Sequence, residues 1–144
     1  MKIFPAKKKL IFKKDIGDNE VILSEIGINV AERAEVKVLA LFDTGATHSA
    51  ITTDLVNKLK PARIGAATVI YGGTECETQE YYININFNGI LIRNTIVSEM
   101  PESPLDGIDF IIGMSVIKLG DFRIRKGQAR FYLPRHNTKL YYKN

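Results

Sequence analysis

The residues best equipped for chemistry stand together in Leu41-Phe42-Asp43-Thr44-Gly45-Ala46-Thr47. Asp43 follows directly on a run of apolar residues, near the buried end of a strand. A charged carboxylate is disfavoured there unless donors surround it. Gly45 lets the chain turn sharply and bares backbone N–H groups beside the carboxylate, and Thr44 adds a hydroxyl able to bond across a narrow gap. These are the parts that hold one carboxylate rigidly at the mouth of a cleft. Amide hydrolysis by carboxylates needs two of them about 3 Å apart, sharing one proton. The ionised member takes a proton from water while the protonated member hydrogen-bonds the carbonyl. No second Asp-Thr-Gly or Asp-Ser-Gly occurs in the chain, so a twofold-related copy would have to set its own Asp43 beside this one. Taken alone, the motif also fits an ordinary turn after a strand, where Asp and Gly are common for backbone reasons.

The elements that must position Asp43 are mostly strands. Residues 21–30 are rich in β-branched side chains, and residues 36–42 form a nearly continuous apolar run, the pattern of a strand buried on both faces. Thr52 or Thr53 caps a short helix running to Leu59, with Leu55, Val56 and Leu59 on one side and Pro61 as its stop. Residues 68–71 and 75–82 flank Gly72-Gly73 as a hairpin. Residues 82–87 alternate apolar and polar up to Asn88-Gly89, a strong type I′ turn signal, and 90–97 return as the partner strand. A loop over 100–107 leads to the short buried strand Phe110-Ile111-Ile112, then Gly113 and a short helix over 114–119 closed by Gly120. Residues 122–125 and 129–133 make a last hairpin about Lys126-Gly127. The sum is an all-β domain with two small helices.

Its 144 residues suit one domain. The expected division is a basic segment over 1–19 serving as an edge or dimer strand, a domain over 20–133, and a tail over 134–144 that could join a dimer interface. No apolar run approaches the roughly 18 residues of a membrane span, and no apolar stretch of a secretory signal follows Met1. The lone Cys76 reads as a buried, inert thiol, and with no disulfide in prospect a cytoplasmic location is expected. His48 and His136 are too few and too far apart for a metal site. A surface position is the ordinary expectation for His48. The net charge of +4 gathers at both ends of the chain. There the basic residues alternate with apolar ones, as on a solvated strand face, so nucleic acid is an unlikely partner.

The second motif, Asp109-Phe110-Ile111-Ile112-Gly113-Met114, raises the first above a chance turn. Apolar-apolar-Asp-Thr-Gly-Ala, a glycine-tipped hairpin, and apolar-apolar-Gly before a helix together resemble the retropepsin-like aspartic proteases, and most closely the cellular and bacterial domains of that kind. The likeness extends over roughly residues 20–133, with Gly120-Asp121-Phe122 matching the end of the family's core. It implies a half-barrel with a flap, active as a homodimer on peptide or protein substrates, without metal, organic cofactor or membrane.

Carried over by position, the resemblance makes Asp43 the catalytic aspartate and Thr44 the threonine linking the two active-site loops. Gly45 becomes the glycine that meets the substrate backbone. Ala46 stands where pepsins often carry a hydroxyl, which implies one donor fewer and an acid limb at higher pH. Tyr71, Gly72, Gly73 and Thr74 fall at the flap tip, with Tyr71 similar to the flap tyrosine of pepsins. An ordinary hairpin turn is an equally good account of the two glycines. Ile111, Ile112 and Gly113 form the second core motif. Viral members form a buried ion pair at the positions of Thr47, His48 and Met114, which these residues cannot make, and related non-viral domains often have Asp where Ser115 stands. Two rivals keep some support: a retropepsin-like dimer that binds extended peptides without cutting them, and a basic β-barrel that binds nucleic acid. Aromatic residues do not line up beside the basic ones as the latter needs.

Overall fold

The computed structural model describes residues 7–17, 21–71 and 73–135. The described residues form ten strands and two short helices: β1 (Lys8–Asp15), β2 (Ile22–Asn29), β3 (Val36–Phe42), β4 (Ser49–Thr52), α1 (Thr53–Leu59), β5 (Arg63–Tyr71), β6 (Thr74–Phe87), β7 (Ile90–Met100), β8 (Phe110–Ile112), α2 (Met114–Ile117), β9 (Asp121–Arg125) and β10 (Gln128–Pro134).

Seven strands run in the order β2-β3-β8-β4-β7-β6-β5, and β2 also pairs with β6, so the sheet closes on itself. Strand β6 changes partner to allow this. Its first half pairs with β5, and residues 84–86 pair with β2. The β6–β7 turn has φ of 50° at Asn88 and 95° at Gly89, as a type I′ turn requires. Strands β1, β10 and β9 make a separate antiparallel sheet.

Four phenylalanines join the two sheets. Phe42 meets Phe12 of the small sheet edge-on at 4.8 Å and Phe131 at 5.5 Å, and Phe131 in turn meets Phe87 at 6.0 Å. Edge-to-face pairs of this kind contribute about 0.5–1.5 kcal/mol each beyond burial. Since Phe42 is the residue before Asp43, the cluster also fixes where the carboxylate begins.

Several expectations need correction. Strand β3 is buried on both faces only over 40–42; Lys37 and Leu39 are exposed. The two segments expected over 75–82 and 82–87 are one strand of 14 residues, β6. Helix α2 ends at Ile117 rather than Leu119, because the amides of Leu119 and Gly120 turn back to carbonyls only three residues earlier. The basic segment at 1–19 needs no such correction: part of it is β1, the edge strand of the small sheet, paired with β10 of its own chain. The tail over 136–144 and Gly72 lie outside the described residues.

Candidate active site

Asp43 caps the end of β3, and its amide donates to the Ile112 carbonyl at 2.9 Å, tying the ends of β3 and β8 together. The Gly45 amide donates to Oδ1 of Asp43 at 2.9 Å, the bond expected from a glycine beside this carboxylate. The Ala46 amide closes the turn on the Asp43 carbonyl at 3.2 Å. Asp43 and Ala46 are half-buried, while Thr44 and Gly45 are exposed.

The second motif braces this loop. Met114 and Ser115 donate their amides to the carbonyls of Ala46 and Thr47 at 2.7 and 3.0 Å. The Gly113 amide donates to Oγ of Ser49 at 3.0 Å, and the Ser115 hydroxyl lies 3.4 Å from the same oxygen. A side chain at position 113 would strike the backbone of His48 and Ala46. The two motifs read in the sequence are therefore in direct contact, with Ile111 half-buried and Ile112 and Gly113 buried beneath the loop.

Asp43 opens on a cleft of about 950 Å³. Its floor steps across neighbouring strands from Ile111 to Ala50 to Ser98, which stand in register on β8, β4 and β7. The β5–β6 hairpin forms the opposite wall through Val69, Ile70, Cys76 and Thr78. At its tip the backbone of Tyr71 pairs with Thr74, and Gly73 has φ of 79°. Ile70, beside the tip, is 78% exposed. Cys76 is half-buried and lines the cleft, not the core, because its part of β6 has left the barrel. His48 is exposed and also lines the cleft. Met114, where the viral pattern has its arginine, is exposed.

The sequence reading passed over the polar far end of the cleft. Glu99 accepts hydrogen bonds from the Thr53 hydroxyl and from the Tyr81 hydroxyl, each at 2.7 Å, one on either carboxylate oxygen. Burial, with the Glu99 bond and charge added, pushes the Tyr81 phenol up to about 12, so it remains a donor at any physiological pH. Ser98 and Glu99 fall between the strand expected over 90–97 and the loop expected over 100–107, and only the three-dimensional register brings them to a cleft. Ser49, fully buried under Gly113, had one available signal: it precedes buried Ile51 by two residues and so shares its face. Among the described residues no three His, Cys, Asp or Glu side chains gather as metal ligands, and no helix is long and apolar enough to cross a membrane.

The fold has solved counterparts. A retropepsin-like aspartic protease from Rickettsia conorii superposes with a TM-score of 0.63 at 18% identity, covering 92% of this chain and 98% of that one. The EIAV protease, solved with the inhibitor HBY-793, superposes at 0.54 with 22% identity over 69% of this chain and 86% of its own. The retroviral protease-like domain of Ddi1 from Leishmania major gives 0.51 at 17% identity, covering 82% and 99%. At such identities the likeness speaks to the fold, which is all-β and retropepsin-like. A search by sequence among curated proteins finds no match. The aspartyl protease family model, however, matches residues 28–116, from β2 through the Asp43 loop and into α2. The chain belongs to the aspartyl protease family, which supports aspartic peptidase activity in general terms.

Proposed function

We propose that this chain is an aspartic endopeptidase that works as a homodimer, with Asp43 of each copy supplying one carboxylate of a proton-sharing pair. The observation that carries the reading is the setting of Asp43: a carboxylate at the head of a large cleft, held by the Gly45 amide and braced by a second motif. Two such carboxylates within about 3 Å cannot both ionise, so the pair holds one proton near neutral pH and below. The ionised Asp43 accepts a proton from the bound water as that water attacks the peptide carbonyl, and the protonated Asp43 donates to the carbonyl oxygen. The exposed Thr44 of each loop then faces its twofold mate. Flap closure by the β5–β6 hairpin excludes water and offers backbone amides to an extended peptide.

The test is a mass-spectrometric digest of a diverse peptide pool at mildly acidic pH, run with wild type and Asp43→Asn. Cleavage by wild type alone is expected. Equal cleavage by both proteins, or none by wild type at any concentration, overturns the assignment.

A further inference from the structure

Resting on the homodimer proposed above, we propose that β9 is the strand through which two copies of this chain join. Residues Asp121–Arg125 pair antiparallel with the same strand of a second copy, centred on Arg123, and the two three-stranded sheets become one of six strands.

The small sheet has two edges, since its order is β1-β10-β9. Strand β1 is defended as sheet edges usually are. It carries Lys8, Lys9, Lys13 and Lys14, and its pairing slips at a bulge between Leu10 and Phe12. Strand β9 has neither device. It pairs in unbroken register with β10 and, among the described residues, with no other strand. Ile124 stands opposite the buried Ala129, on the side of the sheet that faces the core, yet it is 59% exposed. It lies past the last strand, where one more strand would cover it.

The sequence Asp121-Phe122-Arg123-Ile124-Arg125 is complementary to itself. Opposite residues of an antiparallel pair share a face, so inward Phe122 and Ile124 must meet inward residues of the second copy. The register centred on Arg123 meets this condition and is the one that pairs the whole strand. It sets Phe122 against the partner's Ile124 and Arg125 against the partner's Asp121, each contact made twice by symmetry. Arg125 has no ion pair within its own chain among the described residues. Oδ1 of Asp121 accepts from the Arg123 Nε alone, while Oδ2 serves both Arg123 and Lys8, so Oδ1 keeps an open site for a further donor. Arg123 meets its own mate on the axis with its charge already offset by Asp121 at 2.6 Å.

The fold also puts this edge within reach of the catalytic loop. Met114, at the head of α2, donates its amide to the Ala46 carbonyl in the Asp43 loop, and β9 begins four residues after α2 ends at Ile117. One short segment therefore runs from the loop to the contact, as an axis serving both requires.

The experiment places cysteines in the full chain. Arg123→Cys is expected to cross-link to itself under mild oxidation, since directly opposed residues have Cβ atoms about 4.5–5.5 Å apart. Arg125→Cys alone should not, being four residues or about 14 Å along the strand from its own mate, but should cross-link when mixed with Asp121→Cys. Wild type, with Cys76 only, gives the background. By analytical ultracentrifugation, Ile124→Lys should raise the dimer Kd at least about tenfold, and Ile124→Leu should leave it near wild type. Hydrogen exchange of wild type needs no variant: the β9 amides should be at least about tenfold slower in the dimer than after dilution to monomer. A dimer lacking the cross-link at 123 or indifferent to Ile124→Lys overturns the proposal, as does a monomer at every concentration. Slow β9 exchange in the monomer also overturns it, assigning the edge to the chain's own residues 136–144. A dimer that passes these tests but cuts no peptide fails the protease reading and leaves the interface standing. Cleavage by a dimer that fails them does the reverse.

Discussion

Gly113 lies so close beneath the chain at His48 that a Cβ added to it would stand 2.6 Å from the His48 carbonyl carbon and 2.9 Å from the Ala46 oxygen. Both are backbone atoms of the loop that carries Asp43, so no side chain can move aside to relieve the contact. Gly113→Ala is therefore expected to cost about 1–3 kcal/mol in urea unfolding. It should also lower kcat in protein that remains folded, because the loop must shift. An alanine variant with wild-type stability and turnover would refute the close packing.

Ser49 and Gly113 give a second prediction. The buried Ser49 hydroxyl is the acceptor for the Gly113 amide. Ser49→Ala strands that donor in the interior and should destabilise the protein by about 1–3 kcal/mol. Chemical denaturation of the folded variant reads the loss. A change below about 0.5 kcal/mol would mean that another group takes over the amide.

Dimer-dependent catalysis predicts that specific activity falls on dilution in step with the dimer fraction measured by light scattering. Thr44 is exposed in the single chain. If its hydroxyl bonds across the twofold axis, Thr44→Val should raise the dimer dissociation constant about 30-fold, from two lost bonds of about 1 kcal/mol each. A monomer that cleaves peptide at every concentration would sink the shared-site mechanism.

The Tyr81 phenol should give an ultraviolet titration step centred near pH 12 that Tyr81→Phe removes. Glu99→Gln should move the step downward without restoring the ordinary value, since burial is the largest cause and the Glu99 bond and charge come after it. The sign follows from proton binding. The folded state holds this proton more tightly than the unfolded chain, so the stability is present below about pH 10 and is lost as pH rises toward 12. A step unmoved by Glu99→Gln would deny the contact.

Asp121 tests the opposite limb. Hydrogen bonds from Arg123, at 2.6 Å at the closest, and from Lys8, at 2.9 Å, hold its carboxyl down at about 2. A depressed carboxylate stabilises the fold above its unfolded value near 4, and that stability is lost as pH falls toward 2. Both partners are solvent-exposed, so Asp121→Asn should cost only about 1 kcal/mol or less at pH 7. Melts of the two proteins should converge by about pH 2. A constant gap across that range would assign the effect to packing instead.

The parts of this molecule that were legible in its sequence are those fixed by neighbours along the chain. Thr52 caps α1 through its bond to the Leu55 amide, and Asn88-Gly89 forms its turn, because each needs only local chemistry. The two glycine-bearing motifs were also legible, whereas the direct contact by which the second supports the Asp43 loop came only from the fold. Less legible was anything set by strand partners. Leu39 belongs to an apolar run, yet it faces outward because the first half of β3 is covered on one side only. Cys76 looked like a core thiol and lines the cleft, since nothing in Thr74-Glu75-Cys76 tells where β6 leaves the barrel. Glu99 was invisible for the same reason. Its partners Thr53 and Tyr81 lie 46 and 18 residues away.

The change of partner along β6 separates two mechanical roles within one strand. Residues 84–86 are clamped between β2 and β7, whereas residues 74–79 pair only with β5. Amides of the outer ribbon can therefore exchange with solvent deuterium through local opening, while those of the clamped segment wait for the barrel itself to come apart. The hinge between the fast and slow regions falls near Glu80 and Tyr81, where β7 first joins. A flap made of this outer ribbon would move at its own low energy and leave the frame that holds Asp43 undisturbed.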